Sequence, residues 1–107
     1  MANNCMTSLS ITSEEPITDE KHDAIVADIR DTIQYTGGDE SCSEDDFIEY
    51  ECDTRWAIPT EAIAALAKKH QVKVRALGRE DGCGFVQVVC ANAKGVVVQD
   101  DSIDYFF

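Results

Sequence analysis

The chain has 107 residues, 44% hydrophobic and 28% charged, which suits one globular domain over 1–107 with a modest core and excludes global disorder. Nine Lys and Arg against twenty-one Asp and Glu leave a net charge of −12; this argues against a nucleic-acid binder, whose affinity comes from cations that release counterions, and against anionic membranes. No apolar run reaches the roughly 18–20 residues that cross a bilayer, and the opening Met1-Ala2-Asn3-Asn4-Cys5 lacks a leader's basic flank and apolar stretch, so a cytoplasmic protein is expected.

Met6 to Ile11 alternates and predicts a first strand, broken by Glu14-Glu15-Pro16. Thr18 suits an N-cap, with Asp19 and Glu20 in the first turn of a helix. Ile25, Val26, Ile29 and Ile33 recur at helical spacing, so this helix is expected to run to about Gln34, closed by Gly37-Gly38. Its outer side carries His22, Asp23, Asp28 and Asp31. Residues 39–46 read as an acidic loop. Phe47 to Asp53 then alternates, with Ile48, Tyr50 and Cys52 on one face and Glu49, Glu51 and Asp53 on the other, the mark of a half-buried strand. Pro59 falls near the first turn of a second helix whose stripe is Ile63, Leu66 and Ala67, and Lys68, Lys69 and His70 suit its C-terminal dipole. Strands follow at Val72–Ala76, Phe85–Ala91 and Val96–Gln99, with a turn at Arg79–Gly84 and a hairpin loop at Asn92–Gly95. Ile103, Tyr105, Phe106 and Phe107 make an apolar tail that could pack back or serve an interface. The expected fold is α+β: a two-layer sandwich in which two helices cover one face of an antiparallel or mixed sheet of four to five strands.

The charge is unevenly spread. Residues 1–54 hold fifteen acids and two bases, and residues 55–107 hold six acids and seven bases. Eight acids lie within fifteen residues: Asp39, Glu40, Glu44, Asp45, Asp46, Glu49, Glu51 and Asp53. Such a block repels itself and costs stability. It serves either as a solvated surface or as an anionic face that docks on a basic partner, and these eight residues are the candidate partner-binding site. On the alternating strand the three carboxylates would stand about 6.6–6.8 Å apart, two strand rises. That is about twice the 3.4 Å phosphate rise of one DNA strand, so a rigid row can imitate a phosphate backbone.

Catalysis finds little footing. Cys5, Cys42, Cys52, Cys83 and Cys90 are spaced by 37, 10, 31 and 7 positions, none of them the close pair of a zinc or redox site. An odd count fits reduced thiols, mostly small buried hydrophobes. Cys83, between two glycines, could be exposed, but the neighbouring Glu80 and Asp81 would not lower its pKa. His22 and His70 read as surface histidines, with no Ser, Cys or carboxylate at triad spacing. The expectation is a non-enzyme with no cofactor and no metal.

Met1 to Ile11 resembles the opening of the YubB-like proteins of plasmids, phages and enterobacterial genomes, which begin with a Met-Ala-Asn segment, a Cys and a strand. Phe47 to Asp53, then Thr54-Arg55-Trp56, Pro59 and a helix ending in Lys68-Lys69, resemble that family's ferredoxin-like domain, and Gly82-Cys83-Gly84-Phe85 resembles its Gly-Phe step. Residues 12–46 are not matched. The resemblance implies a ferredoxin-like fold, carriage on a mobile element and no catalytic residues. A ferredoxin-like order needs two strands between the helices, and the sequence offers one clear strand there. Phage and plasmid proteins of this kind often inhibit host nucleic-acid machinery. The expected function is therefore inhibition of a host nucleic-acid-binding defence protein, anti-CRISPR-like, with the anionic surface docked on a basic groove such as that of a CRISPR effector subunit. A plasmid or phage accessory module that binds another protein without inhibiting it is the second expectation.

Overall fold

A computed structural model describes residues 4–82 and 84–104. Cys83 and the Tyr105-Phe106-Phe107 segment lie outside them, and so do the expectations attached to those residues. Six strands and two helices follow one another: β1 (Asn4–Thr12), α1 (Asp19–Thr32), β2 (Thr36–Glu44), β3 (Phe47–Arg55), α2 (Thr60–His70), β4 (Lys73–Glu80), β5 (Phe85–Ala91) and β6 (Val97–Asp104). They form one antiparallel sheet in the order β2-β3-β1-β4-β5-β6. This is an α+β two-layer architecture with six strands, not four to five. The first six elements run β-α-β-β-α-β with sheet order 2-3-1-4, which is compatible with a ferredoxin-like split βαβ fold; β5 and β6 extend the sheet beyond β4.

The elements form for local reasons. The Thr18 hydroxyl accepts from the Lys21 amide at 3.1 Å and opens α1. Ile25, Val26 and Ile29 from α1 and Ile63, Leu66 and Ala67 from α2 pack on the inner face of the sheet. That face carries Leu9 and Ile11 of β1, Ile48, Tyr50 and Cys52 of β3, Val74 and Ala76 of β4, and Val89 and Ala91 of β5, all buried. Gln71 ends α2 in the left-handed region, φ 54°.

The segment 39–46, expected as a loop, is most of a strand and its turn. Gly37-Gly38 does not close α1, whose C-cap is Ile33; the pair opens β2, with Gly37 at φ 52°. The Tyr35 amide donates to the Asp53 carbonyl at 2.8 Å and sets β2 beside β3. A Cβ at Gly38 would overlap the Tyr50 hydroxyl and the Gln34 carboxamide, which are hydrogen-bonded to each other at 2.7 Å. Glycine is thus needed where β2 crosses the end of the buried tyrosine. The expected turn at Arg79–Gly84 is also shorter, because Arg79 and Glu80 belong to β4.

Candidate docking surface on the open sheet face

The helices cover one face of the sheet; none of the described residues covers the other, the open face. Strand alternation and register settle what the open face carries. Across β3, β1 and β4 its residues align in rows: Asp53–Met6–Arg79, Glu51–Ser8–Leu77 and Glu49–Ser10–Arg75. An acidic strand and a basic strand thus flank a neutral one, about 9.5 Å apart, two interstrand spacings. Lys73 extends the basic strand, opposite Thr12.

The eight acids divide three ways. Asp39, Glu49, Glu51 and Asp53 hold register positions on the open face. Glu40, opposite the inward-facing Tyr50, lies on the helix side and meets His22 Nε2 at 2.8 Å. Glu44, Asp45 and Asp46 form the end of the β2–β3 hairpin, where the Asp46 and Asp45 carbonyls accept from the Ser13 and Ile17 amides at 2.9 and 2.6 Å. The block expected as one site is therefore a row of three carboxylates on β3 with Asp39 beside it on the open face, a separate acidic turn, and Glu40 hydrogen-bonded to His22 on the helix side.

β2 and β3 differ in what their acids mean. β2 is an edge strand, and it carries two register shifts, between Thr36 and Gly38 and between Glu40 and Cys42. Charges and bulges on an edge keep other chains from pairing with it, which accounts for the acids of β2 structurally. β3 is an interior strand and has no edge to protect. Asp39 and Glu51 stand directly opposite each other, an arrangement of like charges that destabilises a sheet. Neither they nor Glu49 has an ion-pair partner among the described residues. A local rule is broken here with no compensation inside the described fold, a pattern that belongs to functional surfaces.

A shallow depression of about 600 Å³ lies beside this row, lined by Met6, Ser8, Asp39, Glu51, Asp53 and Leu77 among others. Met6, Leu77, Val86 and Ile103 are 48%, 44%, 42% and 70% exposed on the same face. Exposed apolar residues rimmed by charge are the make-up of a protein-binding surface. Single-stranded RNA stacks on aromatic side chains of the central strands in sheets of this kind; here those positions are Met6, Ser8, Ser10 and carboxylates.

Sequence reasoning missed two features. The basic strand Lys73, Arg75 and Arg79 joins the same face, though nothing in its own stretch points to β3. At the Asp53 end, Trp56 sits at φ 70°, with the Ala57 amide bonded to the Arg55 carbonyl at 2.8 Å, a strained γ-turn that leaves the indole 49% exposed. Arg55 lies over the Tyr35 ring at 5.5 Å. The available signal in the sequence was a single large aromatic, Trp56, between the alternating strand and Pro59.

Neither histidine is a lone surface group. His22 bonds Glu40, and His70, with its side chain 8% exposed, meets Asp28 Oδ2 at 2.6 Å beside Lys69 at 3.0 Å. Hydrogen bonds, from Lys69 above all and then from His70, hold the Asp28 carboxyl below its usual range. Cys5 and Cys52 are buried and Cys42 and Cys90 half-buried, with no disulfide among the described residues. Burial pushes the Cys52 thiol up to about 11 and raises that of Cys5, so both are poor nucleophiles at neutral pH. Among the described residues no three His, Cys, Asp or Glu side chains converge on a metal-sized site, and no helix is long and apolar enough to cross a membrane. No protein-family model, curated protein or solved structure matches the chain.

Proposed function

We propose that this protein is a small acidic docking protein of a mobile element that binds a basic surface of a host nucleic-acid-binding defence protein and inhibits it. One observation carries the reading: Glu49, Glu51 and Asp53 stand in a row on an interior strand, with Asp39 opposite Glu51, and no edge to protect. The sheet fixes their spacing before any partner arrives, so little ordering entropy opposes docking. A dense anionic row attracts a groove built for DNA or guide RNA and speeds association with it. The cations of β4 repel the same groove, so docking is confined to the β2–β3 side. The resemblance to the YubB-like proteins and their ferredoxin-like domain supplies the setting, a plasmid or phage in a bacterial cytoplasm, and a CRISPR effector subunit is the first partner to test.

The test is interference against a targeted plasmid in cells that make the protein. The wild type should let the plasmid establish. Glu49→Arg with Glu51→Arg should abolish that protection, because breaking desolvated charge pairs costs about 2–5 kcal/mol, roughly 30- to several-thousand-fold in affinity. Asp100→Arg with Asp101→Arg, on β6, changes net charge equally and should leave protection intact. Equal loss from both variants would mean that net charge is enough and the row is not the site. No protection by the wild type would overturn the inhibitory reading. An accessory module that binds another protein without inhibiting it is favoured by a different observation, the exposed Met6, Leu77, Val86 and Ile103, which phosphate mimicry does not use.

A further inference from the structure

Two of the three rows on the open face, Glu49–Ser10–Arg75 and Asp53–Met6–Arg79, are complementary to themselves. Take a two-fold axis in the plane of the interface, parallel to β1 and passing over it. Rotation about it brings a second copy face to face with the first and exchanges the strands on either side of β1. The acidic β3 of one copy then covers the basic β4 of the other. The register makes the match specific: Glu49 and Arg75 lie in one row on either side of Ser10, and Asp53 and Arg79 in one row on either side of Met6. The rotation keeps each row and swaps its ends, so Glu49 meets Arg75 of the second copy twice, and Asp53 meets Arg79 twice. Arg79 also pairs with Asp81 at 3.0 Å in its own chain, and Glu51 lies beside Leu77 in the row between the two charged ones. Met6, half-exposed, packs on its own copy at the axis. Packed sheets cross at about 30°, an offset that long Glu and Arg side chains absorb near the axis.

We propose that the protein forms a two-fold dimer through the open sheet face, with β3 of each copy on β4 of the other. Neither Glu49 nor Arg75 has an ion-pair partner among the described residues, and the dimer gives each one. Five strands overlap, about 24 Å at ~4.8 Å each, by about 26 Å of strand length. That is roughly 600 Å² a side and ~1,200 Å² in total, the lower bound of specific interfaces before side-chain relief is counted. The net charge of −12 on each copy opposes approach, but screening beyond about 8 Å at physiological salt leaves the paired rows dominant at contact. The inference goes beyond the docking reading: it gives β4 a role, and it makes a basic partner and a second copy competitors for Glu49.

Sedimentation equilibrium tests it. The wild type should sediment at twice the 11.8 kDa chain mass. Arg75→Glu sets Glu against Glu at two equivalent places and should weaken the dimer at least about tenfold, with an unchanged circular dichroism spectrum. Glu49→Arg combined with Arg75→Glu restores opposite charges and should restore the dimer. Cys42 and Cys90 hold the outer register positions opposite Glu49 and Arg75, so the rotation places them over each other, ~10 Å apart. A short bis-maleimide should link Cys42 of one copy to Cys90 of the other, and Cys42→Ser should abolish the link. A single-chain mass at every concentration to about 1 mM overturns the proposal, as does a dimer that survives Arg75→Glu or gives no Cys42–Cys90 link. The Arg75→Glu variant keeps the acidic row whole, so plasmid protection by it reports on the docking reading independently of dimerisation.

Discussion

Cys52 shows how one burial couples to chemistry at the scale of the residue. It lies on the inner face of β3, 5% exposed, because alternation there leaves every second side chain in the core. Burial of a thiol disfavours its thiolate, and the nearby Asp53 carboxylate adds to that, so the value rises from 9.0 to about 11. The folded state therefore keeps a proton that the unfolded chain loses. The stability from this group is intact below about pH 9 and falls as pH rises through the folded value, by about 2–3 kcal/mol in all. Urea midpoints measured from pH 8 to pH 11 should drop, and Cys52→Ala should lessen the drop. Cys5, also raised, adds to the fall in the same direction. At pH 8 the native protein should react with a thiol reagent at Cys42 and Cys90 but not at Cys5 or Cys52 until it unfolds. Rapid labelling of Cys52 in the native state would contradict the burial.

Between elements, the two helices are joined at one point by charge. Asp28 of α1 accepts from Lys69 and His70 at the end of α2, at 3.0 and 2.6 Å to one carboxylate oxygen. The carboxyl is held below its unfolded value of 3.8, so its contribution is present above that pH and is lost as pH falls through the folded value. Asp28→Ala should cost about 1 kcal/mol at pH 7, since it removes two charge-assisted bonds and leaves His70 unpaired. At pH 2 the gap in urea midpoint between the variant and the wild type should be smaller than at pH 7. An equal gap at both pH values would assign the effect to packing rather than to the ion pair. The same scale explains β2. Its sequence, Thr36 to Glu44, has no apolar alternation and no buried side chain, so its strand geometry comes from pairing with β3 alone.

Across the whole molecule, the sheet carries acids on β2 and β3, cations on β4 and acids again at its far edge, at Asp100, Asp101 and Asp104 of β6. Fifteen of the twenty-one acids lie in the first 54 residues with two bases among them, so self-repulsion acts against folding of that half. Added salt should therefore stabilise the protein. Thermal midpoints should rise between ~10 mM and ~200 mM sodium chloride, as the Debye length shrinks from about 30 Å to less than 10 Å. A falling midpoint would mean that ion pairs such as Asp28–Lys69 outweigh the repulsion. The rise should be smaller in a variant with Glu49→Gln and Glu51→Gln, which removes two members of the row.

The sequence by itself determined what repeats along the chain. Period two placed Ile48, Tyr50 and Cys52 inward and Glu49, Glu51 and Asp53 outward, because the pleat alternates whatever the neighbours are. Helical spacing found both apolar stripes, and Thr18 and Pro59 marked the starts of α1 and α2. The acidic row was legible for the same reason. Tertiary structure decided the rest. β2 and the far half of β6 are exposed along their length and bury no stripe, so no periodicity announces them. Glu40 leaves the row by alternation beside Asp39, and the hairpin acids leave it at the turn, both phases set by how β2 pairs with β3. The basic strand faces the same way as the acidic one only because β1 pairs with both. Charge complementarity across a sheet is a property of strand order, which hydrogen bonds between distant segments fix and no local stretch of residues encodes.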